Sequence, residues 1–394
     1  MISFDDAMER LALAVRPLGS QPVSLAEAAG RYAAQPIAAR ADSPPRDVSA
    51  MDGYAVKLDM VRTGEWMAVA GESRPGLPRA GNIGPGEAMR IFTGGALPAG
   101  ADCVIMQEYA ERAGDKVRFS PGFGPARHVR AAGSDFRAGT ELVAKGVRLS
   151  PQAMVAAAAA DRAEIQVSLR PRVAIIATGD ELAPPGAAHD RPGTVPDSAS
   201  HGVAALASQM GAELVLHERA PDTLAVLEAV AGRALATADC VVVIGGASVG
   251  ERDFARAMFS THGLELVFSR IAIRPGKPVW LGQAAGRWVI GLPGNPTSAL
   301  VTARLFLRPL LAAMQGGLPD AELGFMPLPL AAPLAETGSR ETFVRASLGA
   351  EGLAPVGNQE SGAQSPLTAA DWLIRRPPHA PAAASGETVL ALSF

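Results

Sequence analysis

CVVVIGGASVGERDF, residues 240–254, is an apolar run that ends in a turn of small residues and then picks up charge ahead of a helical pattern. An uninterrupted apolar run bounded by turn signals reads as a strand buried on both faces, the habit of a parallel sheet. Small residues in the turn let backbone N–H groups approach an anion, and the next helix adds its positive end. Gly245, Gly246, Ser248 and Gly250 are therefore expected to hold phosphate, while Glu251 and Asp253 are placed either to bind Mg²⁺ or to cap the helix. An empty strand-to-helix turn has the same appearance.

Outward from this stretch the chain alternates. RVAIIATGDEL (172–182), AELVLHE (212–218) and the 240–250 run read as strands, and SASHGVAALASQMG (198–211) and DTLAVLEAVAGRALATA (222–238) as helices. Such alternation predicts an α/β fold around a doubly wound, mostly parallel sheet, with ligands at the carboxyl ends of its strands. Asp180 and Glu181 end one strand and Asp222 opens a helix, so the three can supply the hard oxygens Mg²⁺ takes. Helix capping is the plainer reading of each.

VWLGQAAGRWVIGLPG (279–294) reads as a hairpin, and Asn295 with Pro296 as a helix start, Asn295 capping and Pro309 kinking the helix that follows. Just before it, RIAIRPGKPVW (270–280) presents Arg270, Arg274 and Lys277 around a Pro-Gly turn. With Thr297 and Ser298 these cations make a second anion pocket; otherwise they form a solvated basic face. Two anion sites of different chemistry on one sheet point to joining or exchange between two anionic ligands.

Residues 41–147 hold short apolar runs between Gly, Pro and Asp turns, a β-rich insertion. Its turns carry Asp52, Thr93, Arg127, Arg130 and Asp135, which on chemistry alone are solvated turn charges. Helical patterns flank it, so 1–40 with 148–170 is expected to be one discontinuous helical linking unit, 171–317 the sheet domain and 318–394 a small C-terminal β domain. With 36 basic against 39 acidic side chains, nucleic acid is not an expected partner. Acids at the amino terminus oppose a signal peptide, and no unbroken apolar run reaches the ~18 residues of a membrane span, so a cytoplasmic protein is expected. Cys103 and Cys240 each open an apolar run and read as packed thiols.

SAMDGYAV, RIFTGGALPAGADCVIMQE, ATGDEL, GGASVGERDF, IRPGKP and GLPGNPTSA occur in this order. Together they resemble the MoeA-type molybdopterin molybdenumtransferases, the family that includes the E domain of gephyrin. The resemblance implies Mg²⁺-dependent insertion of molybdate into adenylylated molybdopterin, with release of AMP. It associates Glu181, Asp222 and Asp253 with the metal and adenylate cleavage, and Arg274, Lys277, Ser298, Arg345 and Ser365 with molybdate. Asp52, Thr93 and Arg130 match functional positions in the insertion, which in this family faces the other subunit's sheet across a homodimer cleft. It also implies passing contact with molybdopterin adenylyltransferase and apo-molybdoenzymes. The chain departs from the family at Ala199, where Asn is usual, at Arg270 and Arg274, where many members have Lys, and at Pro366 and Asp371. A molybdopterin adenylyltransferase resembles the sheet domain alone, and a non-catalytic carrier or scaffold is the reading from another class.

Overall fold

The computed structural model describes residues 1–76, 81–246 and 254–394. Ser248, Gly250, Glu251 and Asp253 of the expected phosphate turn lie outside the described residues.

The central sheet has six strands in the spatial order Glu213–Ala220, Arg172–Thr178, Cys240–Ile244, Arg287–Leu292, Trp280–Ala284 and Glu265–Ser269. The first four are parallel; Trp280–Ala284, joined through the expected 280–292 hairpin, runs against them, and Glu265–Ser269 pairs antiparallel with it. Along each central strand the residues alternate between two cores. Val173, Ile175, Val242 and Ile244 face one, with the Ala199–Gln209 helix, while Ala174, Ile176, Val241 and Val243 face the other, with Leu224–Thr237. Burial on both faces explains why these strands read as continuous apolar runs. The chain winds from Arg172–Thr178 outward to Glu213–Ala220 and then returns to place Cys240–Ile244 on the other side, so a topological switch point lies between the ends of the first and third of these strands.

One expectation needs correction. The helix Phe4–Ala14, started by a reciprocal Ser3–Asp6 capping box, does not pack with the 148–170 segment. Phe4, Met8 and Leu11 enter the larger sheet core, where the Phe4 ring meets Phe306 at 5.5 Å and Phe343 at 5.3 Å. What pairs across the insertion is the strand Ser20–Ser24 with Glu164–Ser168, over a small core that includes Ala33, Leu149 and Ala157. Pro296–Met314 is a 19-residue helical span apolar enough by composition to cross a membrane, and 89% of its most apolar stretch is buried inside the fold. Its polar residues break the apolar run in the sequence and find partners across the fold: Thr302 donates to the Ser298 carbonyl, Arg304 Nε to the Ser393 carbonyl and Arg308 to Glu322, while Arg304 Nη1 is buried with no partner among the described residues. Pro309 has no N–H to give, and the turn before it, Ala303–Leu307, widens to π geometry.

The insertion carries a six-stranded sheet of its own, and the C-terminal region a second one. The two-residue strand Ile273–Arg274, from the basic turn of the sheet domain, extends the C-terminal sheet by pairing in parallel with Glu341–Gly349. Both cysteines are buried and free, and burial pushes both thiols up.

Candidate active site

At the switch point Gly179 follows one strand and Gly245 the other. Gly245 has φ +101° and a Cβ there would sit 2.5 Å from the Thr178 carbonyl oxygen, so the turn closes only around a glycine. Here a cavity of about 560 Å³ opens, walled by Thr178, Glu181, Asp197, Ser198, Asp222, Gly245, Gly246 and Asn295 among others. Thr178 Oγ1 and Ser198 Oγ are buried and have no hydrogen-bond partner among the described residues. Buried hydroxyls left in this state are costly unless a guest satisfies them. Asp180 is absent from this wall; its carboxylate accepts the Asp222 N–H at 3.0 Å and so ties the two acidic turns together.

A second cavity of about 880 Å³ adjoins the first and shares Pro278, Pro293, Asn295 and Gly362 with it. Its wall includes Arg274, Lys277, Ser298 and, from the C-terminal region, Arg340 and Arg376. The basic turn reaches it because Gly276, at φ +106°, lies against the long helix: a Cβ would come within 2.2 Å of Thr302 Cγ2. Arg270 lines neither cavity.

Asn295 occupies the cap position as expected, but its side chain makes no capping bond. Its Nδ2 donates instead to Ser361 Oγ at 2.9 Å, and Thr297 donates to the Ala363 carbonyl at 2.6 Å. These bonds bind the loop 358–364 to the helix start. Arg345, expected at molybdate, is 1% exposed and lines neither cavity. Its guanidinium donates to the carbonyls of Asn358 (2.9 Å), Glu360 (3.2 Å) and Ala363 (3.3 Å), so it shapes the loop whose outer face forms both walls. Burial holds its pKa below the ordinary value. Ser365 is exposed and also lies outside both walls, one residue past the cavity-lining Gln364. The functional candidates the sequence reading missed are Asn295 as a wall residue, Arg340, and the Thr178 and Ser198 hydroxyls. The signals were VPDSAS after a turn and the cation that opens RETFVR.

The insertion residues assemble separately. Asp52 Oδ1 accepts the Thr93 N–H at 2.7 Å and its hydroxyl at 2.8 Å, which holds the carboxyl below the usual carboxylate range. The strand that contains Arg130 pairs with Val48–Ser49, and Ser49 exchanges backbone bonds with Gly94 and Gly95, so the three expected turns are knitted into one exposed cluster. None of Asp52, Thr93 and Arg130 lines either cavity of their own chain.

An α/β sheet with acidic turns at its switch point, beside a cation-rimmed pocket closed by a second domain, defines a protein built to hold two anionic groups side by side. Three family models match in sequence: the MoeA N-terminal region, domains I and II, over 2–160; a probable molybdopterin binding domain over 174–313; and the MoeA C-terminal region, domain IV, over 327–394. The chain is 35% identical over 318 residues to the molybdopterin molybdenumtransferase of Haemophilus influenzae, covering 80% of this chain and 78% of that protein. It is 31% identical to the one from Synechococcus elongatus, with 95% of each covered. The crystal structure of a molybdopterin biosynthesis MoeA protein from Pyrococcus horikoshii superposes with a TM-score of 0.85 at 25% identity, over 100% of both chains. The chain belongs to the MoeA family of molybdopterin molybdenumtransferases.

Proposed function

We infer that the protein is a molybdopterin molybdenumtransferase of molybdenum cofactor biosynthesis. The finer reading is that it inserts molybdate into adenylylated molybdopterin in a Mg²⁺-dependent step that releases AMP. The observation that carries it is the shared wall of Pro278, Pro293, Asn295 and Gly362, which lets one extended ligand occupy an acidic and a cationic cavity at once.

The donors at the switch point fit Mg²⁺: Glu181 and Asp222 offer hard oxygens beside two unsatisfied hydroxyls. Glu181 and Asp222 would hold the ion, with Asp253 added by resemblance alone. Bound there, Mg²⁺ supplies charge neutralisation for cleavage of a phosphoanhydride. Thr178 and Ser198 donate to phosphate oxygens. In the second cavity Arg274, Lys277 and Arg340 surround a tetrahedral dianion from several directions, with the Ser298 hydroxyl beside them. Arg345 acts as a positioning residue, through the 358–363 loop.

The four-part division of the chain is retained with one change, the assignment of the first helix to the sheet unit. Asp52, Thr93 and Arg130 are assigned to the sheet edge of the partner subunit in a homodimer, because their own chain leaves them outside its cavities. Substrate arrives from molybdopterin adenylyltransferase, and product leaves to apo-molybdoenzymes.

The test is AMP release from adenylylated molybdopterin by the purified protein, with and without molybdate and Mg²⁺. Release that needs both ions, with molybdenum retained on the pterin, is the expected result. Substrate that binds and stays uncleaved overturns the transferase reading in favour of a carrier.

A further inference from the structure

Behind the wall of the smaller cavity, the turn that starts the Ala199–Gln209 helix meets the edge strand Glu213–Ala220. Asp197 there is 2% exposed, and its carboxylate accepts the Ser200 N–H at 3.2 Å and the Ser200 hydroxyl at 2.6 Å. The same hydroxyl lies 2.7 Å from His217 Nε2. The His217 ring in turn stands 5.1 Å from the His201 ring, edge to face at 65°. One ligand atom from each of Asp197, His201 and His217 lies within 4.8 Å of the other two.

We propose that Asp197, His201 and His217 form a binding site for one divalent transition-metal ion of the zinc class, set against the outer wall of the smaller cavity.

The donor set selects the ion. Two imidazoles and one carboxylate suit zinc, cobalt or nickel, whereas Mg²⁺ takes an all-oxygen shell. Three protein ligands leave a fourth tetrahedral position to water or a small anion. Bonds of roughly 2.0–2.2 Å require the donors to draw closer than they now stand. Both histidines are exposed and the carboxylate is buried, so His217 must give up its 2.7 Å contact with the Ser200 hydroxyl to close on the ion.

The competing account is a hydrogen-bond chain, Asp197 to Ser200 to His217, that only finishes the helix start. It gives His201 no part, although that ring is aimed at the same imidazole. Because Asp197 also lines the cavity, occupancy of the metal site and of the cavity are coupled. The proposal does not depend on the reaction assigned above.

The experiment titrates the full-length, untagged protein with Co²⁺ after chelator treatment, in excess Mg²⁺, and follows the visible ligand-field absorption. One equivalent of four-coordinate Co²⁺, displaced by Zn²⁺, is expected. His201→Gln and His217→Gln should each weaken it by roughly tenfold or more, with circular dichroism and thermal unfolding unchanged. Absence of a saturable band overturns the site, as does a band that Mg²⁺ abolishes or that survives in both variants.

Discussion

The molecule holds two polar clusters that treat their own hydrogen bonds in opposite ways. At the sheet edge Thr178 and Ser198 keep buried hydroxyls with no partner among the described residues. In the insertion Asp52 and Thr93 satisfy each other at 2.7 and 2.8 Å, on an exposed surface. The first arrangement offers donors to a guest, and the second is a rigid implement that needs a target supplied from outside. Cost explains the division: an unsatisfied buried group is tolerated where a ligand repays it, while an exposed carboxylate needs fixing only if its direction matters.

Mutation separates the two clusters by size of effect. Glu181→Gln removes a carboxylate from the cavity wall and is expected to lower AMP release roughly 100-fold with little change in thermal stability; normal turnover would remove Glu181 from the site. Asp52→Asn should be nearly as harmful alone, yet mixing it with Glu181→Gln tests where it acts. If the insertion serves the partner's sheet edge, subunit exchange restores about a quarter of wild-type activity, since one site in each mixed dimer is intact. No recovery, with exchange shown by mass, means the clusters work within one chain.

Arg345→Met leaves the carbonyls of the 358–363 loop without their donor. It should cost about 2–3 kcal/mol in urea unfolding and raise KM for molybdate more than it lowers kcat. A stability loss without the KM change would confine Arg345 to the fold. Thr178→Val is expected to hold stability within about 0.5 kcal/mol, because the hydroxyl has nothing to lose in the free protein, while weakening AMP binding about tenfold by calorimetry. The smallest effect belongs to pH. Asp52 has a depressed folded pKa, so its contribution is complete above the unfolded carboxylate pKa and disappears as pH falls through the folded value. Asp52→Asn should flatten that acid limb of the melting temperature slightly, and an unaltered limb would mean that Thr93 does not hold the charge.

The parts legible in the sequence were those written in local spacing. Continuous apolar runs at 173–177 and 240–244 announced a sheet covered on both faces, and the glycine turns marked its ligand edge. Periodicity also found the buried stripe Phe4, Met8 and Leu11, but it carries no information about the surface that stripe meets, and the helix went to the larger core. Asn295 read as a cap because the residue type fits; a serine 66 positions later took its side chain. Arg345 read as a ligand cation by resemblance, whereas its partners are backbone carbonyls, which no residue type advertises.

The two-residue strand Ile273–Arg274 makes the cationic pocket common property of two domains. Any hinge motion of the C-terminal sheet drags Arg274 with it, and the Ala272 carbonyl that receives the Glu341 N–H follows. A chimera that borrowed that sheet from a relative would therefore import a new register for the pocket's cation, so anion preference and interdomain angle would be inherited as one trait.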